Sequence, residues 1–146
     1  MRKLLKRPGL LETPVKKLNY MEKTFIKTSN APAPIGPYTQ AVAAGKTLFI
    51  SGQICLDPET GGLKNKDIRE ETHQVMHNLH SILQAGGMEF SHVVKTTIFL
   101  TDMNTFSEVN EVYGNYFQSN FPARETVQVS ALPKSVNVEI SMIAVQ

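Results

Sequence analysis

The chain is 146 residues long, a single-domain length with material for one hydrophobic core. Its 41% hydrophobic and 19% charged residues are ordinary for a soluble globular protein, no apolar run approaches the ~20 residues of a membrane span, and one cysteine, Cys55, excludes an intramolecular disulfide and fits a reducing compartment. The net charge of +2 is uneven: residues 1–20 carry six Lys/Arg against Glu12, or +5, while residues 21–146 carry nine against twelve acids, or −3, which leaves the main body without a basic stripe for nucleic acid.

Residues 1–20, MRKLLKRPGLLETPVKKLNY, read as a basic extension ahead of one domain at 21–146. The paired leucines do not make the apolar core of a secretory signal. Scarce acids are compatible with a mitochondrial transit peptide, against which stand two prolines and a scarcity of serine. Thr24 to Lys27 then reads as a short strand, and the Pro-rich run Ala31 to Pro37 as an extended loop. Strands at Tyr38 to Ala43 and Thr47 to Ser51 flank Ala44-Gly45-Lys46 and form a hairpin. Pattern alone makes Tyr38, held behind Gly36-Pro37, a half-buried strand tyrosine. Gly52, in Ser51-Gly52-Gln53, either makes a simple bulge or lets a ligand or another backbone approach closely. Asp57 to Gly62 is dense in turn residues and reads as a surface connection. The glycine pairs lack the lysine and helix start of a phosphate-binding loop.

Asp67 to Glu70 resembles a capping box, and Ile68, Val75, Met76, Leu79, Ile82 and Leu83 repeat at helical spacing until Gly86-Gly87. His73, His77 and His80 stack on this helix but centre about 130° from its apolar stripe at 100° per residue, and no motif supplies a carboxylate partner, so they argue against a metal site. Val93 to Leu100 is a strand apolar on both faces. Thr105 to Glu108 resembles a second capping box, opening a helix with the stripe Phe106, Val109, Tyr113, Tyr116 and Phe117. Asn110 falls inside that stripe, where a polar amide either clamps nearby backbone or faces a ligand cleft.

The last stretch alternates twice, Val127, Val129, Ala131 and then Val136, Val138, Ile140, Met142, Ala144, around Leu132-Pro133-Lys134-Ser135. This pattern predicts a hairpin centred on Pro133 and Lys134. Arg124 stands at its entrance and Glu139 in its most apolar strand, on one sheet face but about four residues apart, roughly 13 Å. They then serve different ends of a cleft, or another chain completes each site. Apolar residues on both faces favour a subunit interface. Glu139 is otherwise a solvated strand residue, and Arg124 otherwise a surface partner of Glu125. Only Arg69 and Arg124 are arginines after residue 20, and arginine suits a planar grip on carboxylate.

The segments Phe121-Pro122-Ala123-Arg124, Leu132-Pro133 and Val138-Glu139-Ile140 resemble the signature end of the RidA (reactive intermediate/imine deaminase A, YjgF-type) family. Upstream, Ile35-Gly36-Pro37-Tyr38, Ser51-Gly52-Gln53, Gly86-Gly87, Val94-Lys95-Thr96-Thr97 and Val109-Asn110 fall where that family has similar residues. The likeness begins near Met21-Glu22, which favours an upstream start codon or a cloning-derived segment as the origin of residues 1–20. The element order βββαβαββ, a mixed sheet with two helices on one face, agrees with the family's α+β chorismate-mutase-like sandwich.

The resemblance implies a cytoplasmic homotrimer with sites between subunits, needing no metal or cofactor, that hydrolyses reactive 2-aminoacrylate and 2-iminobutanoate-type intermediates to 2-oxo acids and ammonia, a metabolite damage-control role. It implies that Arg124 holds the substrate carboxylate, that Glu139 activates water, and that Tyr38, Gly52 and the backbone near Thr126 shape the pocket, with Ser51 and Asn110 as further contributors. Thr126 departs from the cysteine of many members, which puts any thiol-dependent role in doubt. A non-catalytic small-carboxylate sensor of the same fold is the alternative. An RNA-directed activity fits poorly with the −3 body, and a chorismate mutase would need more cations than the one arginine of this stretch.

Overall fold

The computed structural model describes residues 21–146; the basic extension, with the targeting expectations attached to it, lies outside the described residues. Eight main elements follow in order: β1 (Lys23–Ile26), β2 (Ala41–Ala44), β3 (Thr47–Gln53), α1 (Ile68–Ala85), β4 (Val93–Leu100), α2 (Phe106–Gly114), β5 (Ala123–Gln128) and β6 (Val138–Val145). The strands form one mixed sheet in the order β1-β2-β3-β6-β4-β5, with β4 and β5 parallel and the other neighbours antiparallel. Both helices lie on one face, giving the two-layer α+β sandwich anticipated from the element order.

The core forms where α1 meets β3 and β6. Val75, Met76, Leu79, Ile82 and Leu83 of the helix are fully buried, and so are Val138, Ile140 and Ala144 of β6 and Leu48 of β3. Gly86 closes the helix against Leu48, and Gly87 continues with φ of +73°. The opposite sheet face has no helix over it. Phe25, Phe49, Val127 and Val145 are exposed there by 61, 48, 41 and 39%, a large apolar share for an uncovered surface.

The final hairpin expected from the sequence does not form. β4 lies between β5 and β6, paired in parallel with one and antiparallel with the other. Residues 129–137 wrap around the end of β4, where the Val129 N–H donates to the Leu100 carbonyl and the Thr101 N–H donates to the Asn137 carbonyl. Alternation identifies strands but not partners, and the most apolar strand is better buried in the middle of the sheet than at its edge. Arg124 consequently pairs with Thr96 and Glu139 with Phe99, so the two side chains lie on opposite faces, not one. Val127 correspondingly faces the open side, while Arg124 and Thr126 face the helices.

Smaller departures have local causes. β2 begins at Ala41 rather than Tyr38, because Ser51 draws the Thr39 and Gln40 carbonyls into separate bonds. At α1, Asp67 accepts from the Glu70 N–H as expected, but the Glu70 carboxylate accepts from Lys66 rather than from Asp67. The second capping box is absent: the Thr105 hydroxyl donates to the Asp102 carbonyl, while Asp102 caps the 3₁₀ turn Met103–Thr105 through the Asn104 N–H. An aspartate close upstream competes better for the free N–H groups than threonine does.

The wrapping turn contains two successive left-handed residues, Lys134 and Ser135, each with φ of 56°. Neither has glycine's freedom there, so Ser135→Gly should stabilise the fold by about 0.5–1 kcal/mol in urea unfolding. An unchanged midpoint would show that the turn is not strained.

Candidate active site

Six of the seven positions singled out in the sequence separate into two clefts, Thr126 lining neither. Arg124 and Asn110 line a cleft of about 450 Å³ with Tyr113, Gly114, Phe121 and Pro122. Tyr38, Ser51, Gly52 and Glu139 line another of about 210 Å³ with Ile35, Ile54 and Pro133. The two clefts share no residue.

In the first, the Arg124 guanidinium carbon stands 5.0 Å from the centroid of Tyr113 and 5.7 Å from that of Phe106. These rings hold the cation without neutralising it. Among the described residues no carboxylate lies within ion-pair distance of Arg124. The neighbouring Glu125 instead pairs with Lys95 and accepts from the Thr97 hydroxyl on the other face, which lowers its affinity for a proton. Arg69, the other candidate fork, is occupied by Glu108 and Glu111. Tyr113 is itself fixed by donating to Thr96 at 3.1 Å, and burial pushes its phenol up. Among the described residues the Asn110 amide makes no side-chain hydrogen bond, which fits its cleft-facing alternative better than a backbone clamp. Two residues beyond Arg124, the buried Thr126 hydroxyl oxygen likewise has no partner.

The second cleft is built on a bulge. Ile50 pairs with Met142 and Gln53 with Ile140, so Ser51 and Gly52 together face the single residue Ser141. Gly52 thereby lies against Glu139; a Cβ there would stand 2.0 Å from Glu139 Oε1. In this rotamer the carboxylate occupies the space that a side chain at position 52 would take. Glu139 is half-buried, and its desolvation raises the carboxyl above its ordinary value of 4.5. Ser51 donates to the Thr39 carbonyl at 2.6 Å, tethering the segment that carries Tyr38. Tyr38 accepts from the Ile35 N–H and remains 45% exposed.

Sequence reasoning missed Gln40, whose buried amide joins Thr28, Ala31 and Pro32 and holds the Pro-rich loop over this cleft. A lone amide between Thr39 and the apolar Ala41-Val42 was the available signal. The three α1 histidines do not converge: His73 meets the Tyr116 hydroxyl, His77 lies edge-on to the same ring, and His80 meets Glu89. An isolated chain can therefore grip an anion in one place and present a proton-accepting carboxylate in another.

The family model described as Endoribonuclease L-PSP matches residues 28–146. Over 124 residues the chain is 50% identical to the 2-iminobutanoate/2-iminopropanoate deaminase of Homo sapiens, covering 85% of this chain and 90% of that one. Among solved structures, RidA from Psychrobacter sp. PAMC 21119 aligns at a TM-score of 0.82 and 41% identity over 84% of this chain and 99% of its own. E. coli TdcF with bound serine aligns at 0.81 and 40% identity over 84% and 98%.

Because burial holds Glu139 protonated to a higher pH than in the unfolded chain, ionising it opposes folding. Glu139→Gln should therefore be more stable than wild type at neutral pH, with the difference growing as pH rises from 4.5 through the raised folded value and vanishing below 4.5. Equal urea midpoints at both pH values would refute the desolvation.

Proposed function

The chain belongs to the Endoribonuclease L-PSP family, which includes the RidA proteins, and on that premise we propose that it is an imine deaminase converting 2-iminobutanoate, 2-iminopropanoate and their enamine forms to the 2-oxo acids and ammonia. The observation that carries the site assignment is the unpaired Arg124 fork in its aromatic cradle, presented to a small cleft. Its substrate is a small carboxylate, gripped bidentately. Glu139 takes a proton from water as the oxygen bonds to the imine carbon. In the carbinolamine formed this way from the protonated imine, that proton returns to nitrogen, ammonia leaves with the C–N electron pair, and Glu139 takes the hydroxyl proton as the oxygen closes the carbonyl. A carboxyl whose proton affinity is raised by burial suits these transfers. Water and a carboxylate suffice, so this reading uses neither metal nor cofactor.

The opposed faces of Arg124 and Glu139 bear on assembly. One small substrate cannot reach both within a chain, whereas a neighbour docked on the open apolar face would bring its own cleft alongside. We therefore assign a homotrimer with a site at each subunit boundary, Arg124, Asn110 and Thr126 coming from one chain and Tyr38, Ser51, Gly52 and Glu139 from the next. Cytoplasmic damage control is the role we assign, and the free, buried Cys55 is compatible with a reducing compartment. The family description names an endoribonuclease, but a −3 charge over residues 21–146 favours a small anion over a polyanion.

The test couples a threonine or serine dehydratase to this protein and follows 2-oxo acid release against an imine scavenger. Arg124→Lys should lower kcat/KM by about one to two orders of magnitude and Arg124→Ala by more, weakening 2-oxo acid binding as well. Glu139→Gln should reduce kcat and leave product affinity largely intact. Near-normal turnover by folded Arg124→Ala would remove the carboxylate anchor from the account. Gly52→Ala should behave like Glu139→Gln, since the added methyl displaces the carboxylate; undiminished kcat in that variant would contradict the close approach.

A further inference from the structure

Besides Thr72, whose hydroxyl donates to the Ile68 carbonyl of its own helix, α1 carries two fully buried polar side chains that packing alone does not call for, Glu71 and Asn78. Seven residues apart, they lie on one helix face. Glu71 Oε1 accepts from the N–H of Asn137 at 2.5 Å and of Val138 at 3.0 Å, and its Oε2 accepts from Asn137 Nδ2 at 3.1 Å. Its three donors thus come from the two residues immediately before Glu139. From the other side, the Thr101 N–H donates to the Asn137 carbonyl and the Thr101 hydroxyl to Asn137 Oδ1. The start of β6 is therefore fixed from both α1 and β4.

Asn78 does the same for the opposite wall. Its Nδ2 donates to the carbonyls of Ile54 and Leu56, just past the bulge that carries Gly52, and its Oδ1 accepts from Gln74. Ile54 itself lines the Glu139 cleft. A carboxylate and an amide on one rigid helix thus hold the two chain segments whose separation sets where Glu139 sits under Gly52. A buried carboxylate is a costly way to fasten a strand unless both its oxygens are hydrogen-bonded, and here three N–H groups reach them.

We infer that Glu71 is a positioning residue for Glu139, acting through the backbone of Asn137 and Val138, with Asn78 holding the facing Gly52 wall. The inference rests on the deaminase reading. It concerns the water-activating half of the site only, so it separates kcat from carboxylate binding.

Glu71→Gln keeps one oxygen for the backbone N–H groups but sets its amide nitrogen against Asn137 Nδ2, donor against donor. Adding Asn137→Asp turns that conflict into a hydrogen bond and leaves a second oxygen for Thr101. In the dehydratase-coupled assay Glu71→Gln should lower kcat about 10–30-fold, with 2-oxo acid affinity within about twofold of wild type, and the double variant should recover to within about threefold. A merely structural role would lower thermal stability without this split or its rescue. Folded Glu71→Gln with undiminished kcat, or a double variant no better than the single, would overturn the inference. Should Glu71→Gln not fold, Asn137→Asp alone, which changes an exposed side chain and faces Glu71 with a second carboxylate, decides: reduced kcat with intact product affinity supports positioning, and unchanged kcat overturns it. Absent turnover by the wild type sinks the deaminase reading itself, whereas an active wild type beside an unaffected Glu71 variant sinks only this inference.

Discussion

Glu139 keeps a half-buried carboxylate in the middle of the sheet because Gly52 leaves the space above it empty. That one contact constrains much of the fold. Gly52 reaches the carboxylate only through the bulge that sets Ser51 and Gly52 against Ser141, and the bulge matters only because β6 pairs with β3. β6 in turn occupies the centre of the sheet because its helix-side residues, Val138, Ile140, Met142 and Ala144, fill the space under α1. Glu139 alternates to the other face, where the cleft walled by Gly52, Ile35 and Pro133 desolvates its carboxylate and raises its proton affinity.

Sequence patterning located this strand and its charged residue, and the βββαβαββ order, with both helices available to one face, followed from periodicity together with turn and cap residues. The partner of each strand did not follow. Alternation is a property of one segment, whereas pairing depends on which segments compete for the centre, so a Leu-Pro-Lys-Ser turn looked like a hairpin when the chain wraps around β4. The error propagated to the site, placing Arg124 and Glu139 on a shared face. Their chemical types were nonetheless informative, since one of two late arginines and a lone glutamate in an apolar strand stand out against their surroundings. Glu71 and Gln40 did not: one sits among charged neighbours and the other follows a threonine, and only the fold shows that each is buried and saturated with hydrogen bonds.

Arg124 and Glu139 line separate clefts on opposite faces of the sheet. Arg124 is held by aromatic rings that leave its charge unspent, and among the described residues no cation pairs with Glu139. In the proposed reaction each supplies what the other lacks for hydrolysis of a small imino acid. The open face between β1 and β5, with Phe25, Phe49, Val127 and Val145 exposed, supplies a physical reason for chains to come together, and the proposed assembly gives that apolar surface and the divided chemistry a single explanation.

Complementation between two inactive variants tests that assembly most directly. Arg124→Ala and Glu139→Gln, each purified, would be unfolded together at equal concentration, refolded and assayed for imine deamination beside each variant refolded alone. With sites shared between neighbouring subunits, random mixing restores an intact pair at about one site in four, so the mixture should regain about a quarter of wild-type activity. A mixture no more active than its components, with mixed oligomers demonstrated by mass, would contradict a site built from Arg124 of one chain and Glu139 of another.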